Sequence, residues 1–394
     1  MIKTAMQAFI SDRIDDFVND LETLVNIDSS SDNLAGIDAV ARFFVRRLEA
    51  MGFSTCLEKR GDRGVPCLQA HNRPLTETFD ILFLGHMDTV FPPGEVQKRP
   101  FSKHGDRAGG PGVCDMKGGL LVALYVLETL HHGGVLNQLS MGVCFNGDEE
   151  VGSKASREWI EANAVNSRRV FVFEPCRPGH RFVLQRKGGG GYRITARGTS
   201  AHAGVEPEKG ANAAVEIAHQ TIAVQRFNQQ ADEGVSAHVT VIRGGERTNI
   251  IPDEARASVD VRVASKRQVA PVESFFKSLP ANTHVPGVTL SVNGGVDRPP
   301  MESDDRTLEL WRLIAAEAAR MGLKVAWIAT GGCSDGNFAS ALGVPTIDGM
   351  GLVGGNAHRQ DEYVELNSIV PQIRLIASVC QSIAQDKRSS LQAS

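Results

Sequence analysis

Residues 81–90 read Ile-Leu-Phe-Leu-Gly-His-Met-Asp-Thr-Val. The first four are continuously apolar, the mark of a short strand buried on both faces. The run then ends in His86 and Asp88, two residues apart and therefore on one face of an extended chain. Such a pair can satisfy itself, with Asp88 accepting an imidazole N–H. It can equally be a metal ligand and the carboxylate that fixes its tautomer. The pair alone does not choose between the two.

Working outward, short apolar runs recur at 139–145 and 170–173, with helical patterns at 35–51, 117–131 and 153–163. Strands alternating with helices predict an α/β domain whose mostly parallel sheet is flanked by helices, with ligand sites at the carboxyl ends of the strands. Ile10, Ile14, Phe17, Leu21 and Leu24, spaced by fours and threes, predict one amphipathic helix at the start. The rhythm breaks at Lys187-Gly-Gly-Gly-Gly-Tyr192. Beyond it the patterns run strand (192–196), helix (210–227), strands (238–242 and 255–263), helix (269–279) and strand (288–292), the order of a ferredoxin-like α+β unit. Residues 188–297 are therefore expected to form an inserted domain, and 1–187 with 298–394 the first domain. The four glycines suit a hinge or a close backbone approach. They lack the strand-turn-helix setting of a dinucleotide fingerprint. A helix at 308–321 resumes the α/β pattern, and the last ten or so residues read as a disordered tail.

The chain has 394 residues, room for two or three domains. Its net charge is -4, and no dense run of Lys and Arg could track a phosphate backbone, so no nucleic acid partner is expected. No segment reaches the ~20 apolar residues of a membrane span and no leader pattern precedes the first helix, which predicts a cytoplasmic protein without a membrane partner. Seven cysteines, an odd number and none at zinc-knuckle spacing, read as reduced thiols.

Four more stretches carry carboxylates or histidine. Asp115 sits on the glycine-rich turn 109–119, just ahead of a helix. Asp148, Glu149 and Glu150 follow an apolar strand, Glu174 ends Val-Phe-Val-Phe, and His358 lies within 354–363. Helix capping explains an acidic residue after a strand. It does not explain Glu174, which needs a partner if it is buried. Gathered at one sheet edge, His86, Asp115, Glu150, Glu174 and His358 would offer two imidazoles and three carboxylates. That set suits two divalent ions about 3.5–4 Å apart sharing one carboxylate. Nitrogen and oxygen donors without thiolate suit zinc, with cobalt or manganese as substitutes.

The ordered motifs GHMDTV, GPGVCDMKGG, DEEVGS, FEP, SAHAG and GNAHRQDEY resemble the dinuclear zinc exopeptidases and deacylases, a family that includes glutamate carboxypeptidase, aminoacylase, acetylornithine deacetylase and succinyl-diaminopimelate desuccinylase. The resemblance spans nearly the whole chain. It implies two zinc ions per chain, with His86 and Glu174 on one, Glu150 and His358 on the other, and Asp115 bridging. It implies Asp88 as the partner of His86, a cis peptide after Asp115, and Glu149 as general base, since the residues alone do not say which of Glu149 and Glu150 meets the metal. His202 of SAHAG resembles a histidine that reaches across a homodimer interface in the inserted domain to stabilise the oxyanion. Asn249 and Arg262 resemble contacts to the substrate carboxylate, and Gly332, in TGGCSDG, a loop near the substrate backbone. Read without the resemblance, Arg262 is an exposed ion pair at a strand end. Cys333 lacks a neighbouring histidine for thiol catalysis.

The expected activity is zinc-dependent hydrolysis of an amide bond next to a carboxylate-bearing amino acid. Residues 85–90 and 354–363 look closest to the glutamate carboxypeptidase branch, and TGGCSDG resembles the desuccinylase branch. The alternative is an N-acyl-amino-acid deacylase. More remote is a catalytically silent dimeric binding protein.

Overall fold

The computed structural model describes residues 2–393. The chain divides into two compact units, one of Met1–Leu184, Ser303–Ala329 and Ser334–Ser394, the other of Gln185–Glu302 and Thr330–Cys333.

In the first unit, helices α1 (Ile2–Ser11), α2 (Ile14–Val25) and α3 (Leu34–Ala50) lead into a hairpin of β1 (Ser54–Arg60) and β2 (Val65–His71). Strand β3 (Ile81–His86), helix α4 (Gly118–His132), strand β4 (Met141–Asn146), helix α5 (Arg157–Val165) and strand β5 (Val170–Val172) follow. The sheet order is β1-β2-β4-β3-β5, completed by a short strand at Thr346–Ile347. From β4 to that last strand every pairing is parallel. Every residue of β3, β4 and β5 is buried, as continuously apolar strands covered on both faces require. Aromatic rings lock the layers, Phe83 meeting Phe173 edge-on at 4.7 Å and Phe44 meeting Phe145 at 5.3 Å. A Cβ on Gly119 would fall 1.8 Å from the Phe173 carbonyl oxygen, so only glycine lets the start of α4 close on the end of β5.

The single opening helix expected from the periodicity is two helices, broken at Asp12–Arg13. Phe17, Leu21 and Leu24 keep their phase and are buried, whereas Ile14 is exposed. A short turn between helices can preserve a pattern that looks continuous in sequence.

The second unit runs β6 (Gly188–Arg197), α6 (Ala213–Gln230), β7 (Ser236–Gly244), β8 (Glu254–Val263), α7 (Val269–Ser278) and β9 (Thr289–Arg298). Its sheet order is β7-β8-β6-β9, antiparallel throughout, which is the ferredoxin-like arrangement. Alternate residues of β8, Ala255, Ala257, Val259, Val261 and Val263, share one core with Ile217 and Val224 of α6 and Val272 and Phe276 of α7. The Asn212 side chain caps α6 by accepting from Ala214 N and Val215 N. The glycine run is no hinge. Gly188–Gly191 lie inside β6, where a Cβ on Gly190 would meet Gly295 O at 2.0 Å, so glycine is needed for close strand approach.

Thr330–Cys333, expected with the first domain, belong to the second unit because Lys187 N donates to Thr330 O and Arg186 Nη1 to Gly332 O. Back in the first unit come α8 (Asp305–Arg320), capped by Asp304 accepting from Thr307 N at 2.8 Å, and α9 (Ile369–Ala393). The expected tail is therefore helix. Ile369, Ile373, Ile376, Cys380 and Ile383 anchor its buried stripe, and the polar turns beyond extend a helix already nucleated.

Candidate metal centre

Three parallel strands deliver the site. His86 is the last residue of β3, Glu149 and Glu150 form the turn after β4, and Glu174 lies two residues beyond β5. Leu84 pairs with Val172, so His86 and Glu174 are equivalent positions past neighbouring strands and face the same way. Asp115 comes from a kinked turn, Val113–Lys117, where its backbone (φ −116°, ψ 95°) leaves helical geometry and its peptide bond to Met116 is cis. His358, between Gly354–Gly355 and Tyr363–Glu365, has φ +66°. A non-glycine residue is seldom left-handed, and such outliers gather at functional sites.

The two oxygens of Asp115 face different histidines. Oδ1 lies 3.1 Å from His86 Nε2, and Oδ2 lies 3.1 Å from His358 Nε2. Each histidine meets a second carboxylate: His86 Nε2 is 3.6 Å from Glu174 Oε1, and His358 Nε2 is 3.2 Å from Glu150 Oε2. Asp115 is thus the shared member of two half-sites. Donor atoms of His86, Asp115 and Glu150 all lie within 4.8 Å of one another.

The electrostatics follow from this crowding. Burial works against a charged His86, yet hydrogen bonds to Asp115 and Asp88 outweigh it and raise its pKa well above the usual imidazole value. Asp115 and Glu150 push His358 up to about 11. Burial would raise the Asp115 pKa, but both histidines hold it well below the usual carboxylate range. Glu150 is pushed up to about 7 by burial, and its Oε1 is buried without a hydrogen-bond partner. An orphaned carboxylate oxygen inside a cluster of three acids and two imidazoles is what a cation would satisfy, and the donor set fits divalent metal ions.

Asp88 holds this arrangement from behind. The His86 Nδ1 edge meets the Asp88 backbone oxygen at 3.0 Å and its carboxylate at 3.4 Å. The same carboxylate accepts from Glu149 N and Glu150 N, both at 3.2 Å, and from Ser31 Oγ at 2.6 Å. Sequence reasoning missed Ser31 and also Glu362, whose Oε1 accepts from Cys114 N at 2.7 Å and Asp115 N at 3.0 Å. Glu362 stands in the quoted GNAHRQDEY, but nothing there shows a contact with backbone so distant in the chain.

Among the other expected site residues, all in the second unit, two groups form. His202 pairs with Ile250 on a short ladder, and Asn249 O accepts from Ala203 N, which puts His202 and Asn249 side by side and exposed. Arg262 makes a two-pronged ion pair with Asp260 at 3.0 and 2.9 Å, and its Nη1 donates to Cys333 Sγ at 3.5 Å. Gly332, beside it, accepts Arg186 Nη1 at 3.2 Å. The Asp260 hydrogen bonds raise the Arg262 pKa.

Known proteins give this geometry a lineage. Over 378 residues the chain is 29% identical to carboxypeptidase G2 of Pseudomonas sp. strain RS-16, covering 94% of this chain and 90% of that one. Over 326 residues it is 28% identical to succinyl-diaminopimelate desuccinylase of Gluconacetobacter diazotrophicus, covering 77% and 81%. The solved YXEP protein of Bacillus subtilis, described as a dinuclear metal binding peptidase from the M20 family, shares the fold with a TM-score of 0.66 at 15% identity, over 95% of this chain and 99% of that one. The family pattern of peptidases M20/M25/M40 matches residues 82–382, from the strand that ends in His86 to the last helix, and this amide-bond hydrolase therefore belongs to peptidase family M20/M25/M40.

Proposed function

We propose that the chain is a zinc-dependent exopeptidase of the glutamate carboxypeptidase type, which cleaves the amide bond before a terminal amino acid bearing a free carboxylate. The observation that carries the reading is Asp115, with one oxygen on each histidine and a further carboxylate beside each. Likeness to carboxypeptidase G2 over 94% of the chain supports the carboxypeptidase form. Likeness to the desuccinylase over 77% of the chain supports a second reading, an N-acyl-amino-acid deacylase using the same centre.

In this reading His86 and Glu174 hold one ion, Glu150 and His358 the other, and Asp115 both; cobalt or manganese could replace zinc. When bound, the ions supply Lewis acidity toward the amide carbonyl and water ionised near neutral pH. Glu149 takes the proton from water and delivers it to the leaving amine, the acid and base duty a single positioned carboxylate can perform in turn. Asp88 fixes both the ring of His86 and the backbone of the Glu149–Glu150 turn. Arg262, with Asn249, takes the substrate carboxylate through guanidinium N–H groups not used on Asp260, and Gly332 lies by the substrate backbone. His202 steadies the oxyanion from a partner subunit, which makes the inserted unit the homodimer interface. Seven free thiols, five of them buried, suit the reducing cytoplasm.

The test is release of free amino acid from acyl and aryl glutamates, dipeptides, and N-acetyl and N-succinyl amino acids, by zinc-loaded and chelated protein. Zinc-dependent release that favours glutamate supports the first reading. Indifference to glutamate with a strong preference for one acyl group supports the second. No turnover of any substrate by the loaded protein refutes both and favours a silent binding protein.

A further inference from the structure

The parallel sheet has another end. Just before β5 and before the Thr346–Ile347 strand, at the edge opposite the metal centre, a cavity of about 670 Å³ opens between those strand starts and α8. Its lining divides by chemistry. Arg168, Arg169 and Arg306 bring guanidinium groups, and Leu310, Leu313 and Leu342 an apolar wall.

The cations are not equally served. Arg306 pairs with Asp304 at 3.3 Å and donates to Gly343 O. Arg168 is 3.8 Å from Asp80, whose other oxygen already accepts Lys387 Nζ at 2.6 Å and Ser140 N at 2.8 Å. Both arginines are largely exposed, and as solvated surface cations they need no further partner. Arg169 differs: it is half-buried, and among the described residues its side chain has neither a hydrogen bond nor an ion pair. Burial, with the neighbouring charge of Arg168, lowers its pKa despite the nearby charges of Asp80 and Asp386. A partly desolvated guanidinium beside a leucine wall is matched by an opposite charge carried on an apolar body.

We propose that this cavity is a binding site, distinct from the metal centre, for a small amphipathic carboxylate whose head pairs with Arg169 and whose tail lies along Leu310, Leu313 and Leu342. The volume is within the roughly 300–1,000 Å³ of small-molecule pockets. Glu309 and Asp386 also line the cavity, while Arg306 and Arg168 have Asp304 and Asp80 as their own counter-charges, so Arg169 is the guanidinium left for a ligand. A carboxylate on an apolar body meets both Arg169 and the leucine wall, and inorganic phosphate has nothing to lay along the leucines.

The test is calorimetric titration of the metal-loaded full chain with octanoate, repeated after chelation, beside octylammonium and inorganic phosphate. Two variants accompany it, Arg169→Met and Leu342→Glu, the second at a 44% exposed rim position where the fold is not at stake. The expected result is a single octanoate site that persists after chelation, weakens roughly tenfold or more in each variant, and has no counterpart for octylammonium or phosphate. Absence of octanoate binding, its loss with the metal, undiminished binding in either folded variant, or phosphate binding as tightly as octanoate overturns the proposal. Should Arg169→Met fail to fold, Leu342→Glu decides alone.

Discussion

Glu149 and Glu150 are adjacent, yet their surroundings part them. Glu150 is turned to His358 at 3.2 Å, while the backbone N–H groups of both are pinned by Asp88. Glu149→Gln is therefore expected to lower kcat by roughly 10²–10⁴-fold, the range for a general base, with bound metal unchanged by atomic absorption. Loss of metal together with activity would make Glu149 a ligand instead. Glu362 acts one step back, as the buried acceptor for the Cys114 and Asp115 N–H groups. Removing that acceptor in Glu362→Leu should weaken metal binding by roughly 10–100-fold in competition with a chelating dye, and Glu362→Gln, which keeps a carbonyl, should cost less. Unchanged affinity in Glu362→Leu would show that the turn holds Asp115 unaided. The difference in legibility between these residues is physical. A histidine or carboxylate ending an apolar strand is conspicuous, because burying it needs a reason. Glu362 works by accepting from the backbone of Cys114 and Asp115, and nothing in its own neighbourhood records that.

At the scale of elements, the helix α4 follows directly on the Asp115 turn, and its start closes on Phe173, the residue before Glu174. Gly119→Ala would force a Cβ against the Phe173 carbonyl, and overpacking of this kind costs about 1–3 kcal/mol. The expected outcome is a melting temperature lower by several degrees and a fall in metal affinity, read by calorimetry and metal titration. Full stability in the variant would mean that the helix can shift without loss. Alternating apolar strands and helical periods were sufficient to read β3, β4, β5 and α4 within a few residues. Periodicity failed where it carries no phase information: it ran α1 and α2 together across Asp12–Arg13, and it could not tell the polar turns ending α9 from a tail. For the glycine run it left hinge and close approach equally open, since both need the same residue. The carbonyl of Gly295, roughly a hundred positions later, decides for close approach.

For the whole molecule, the proposed role of His202 calls for a second copy of the chain: its ring is exposed in the second unit and, among the described residues, accepts only from Gly204 N. Light scattering should give twice the chain mass, and His202→Ala should lower kcat by roughly 10²–10³-fold, as removal of an oxyanion donor does, with the dimer intact. A fully active monomer would remove both the interface and the role. The chemical character of the centre was legible in the sequence: two histidines and three carboxylates, at strand ends for His86, Glu150 and Glu174 and on loops for Asp115 and His358, without thiolate, in an α/β chain. Side-chain chemistry and strand period are local properties, so they can be read in order along the chain. Only the tertiary structure decided that each oxygen of Asp115 faces a different histidine, that Glu362 accepts from the Cys114 and Asp115 N–H groups, that Asp88 also holds the Glu149–Glu150 turn, and that Arg169 lines a cavity at the far edge of the sheet. Those facts depend on which distant segments the sheet order and the closing helices bring within hydrogen-bond reach, and no local pattern encodes that distance.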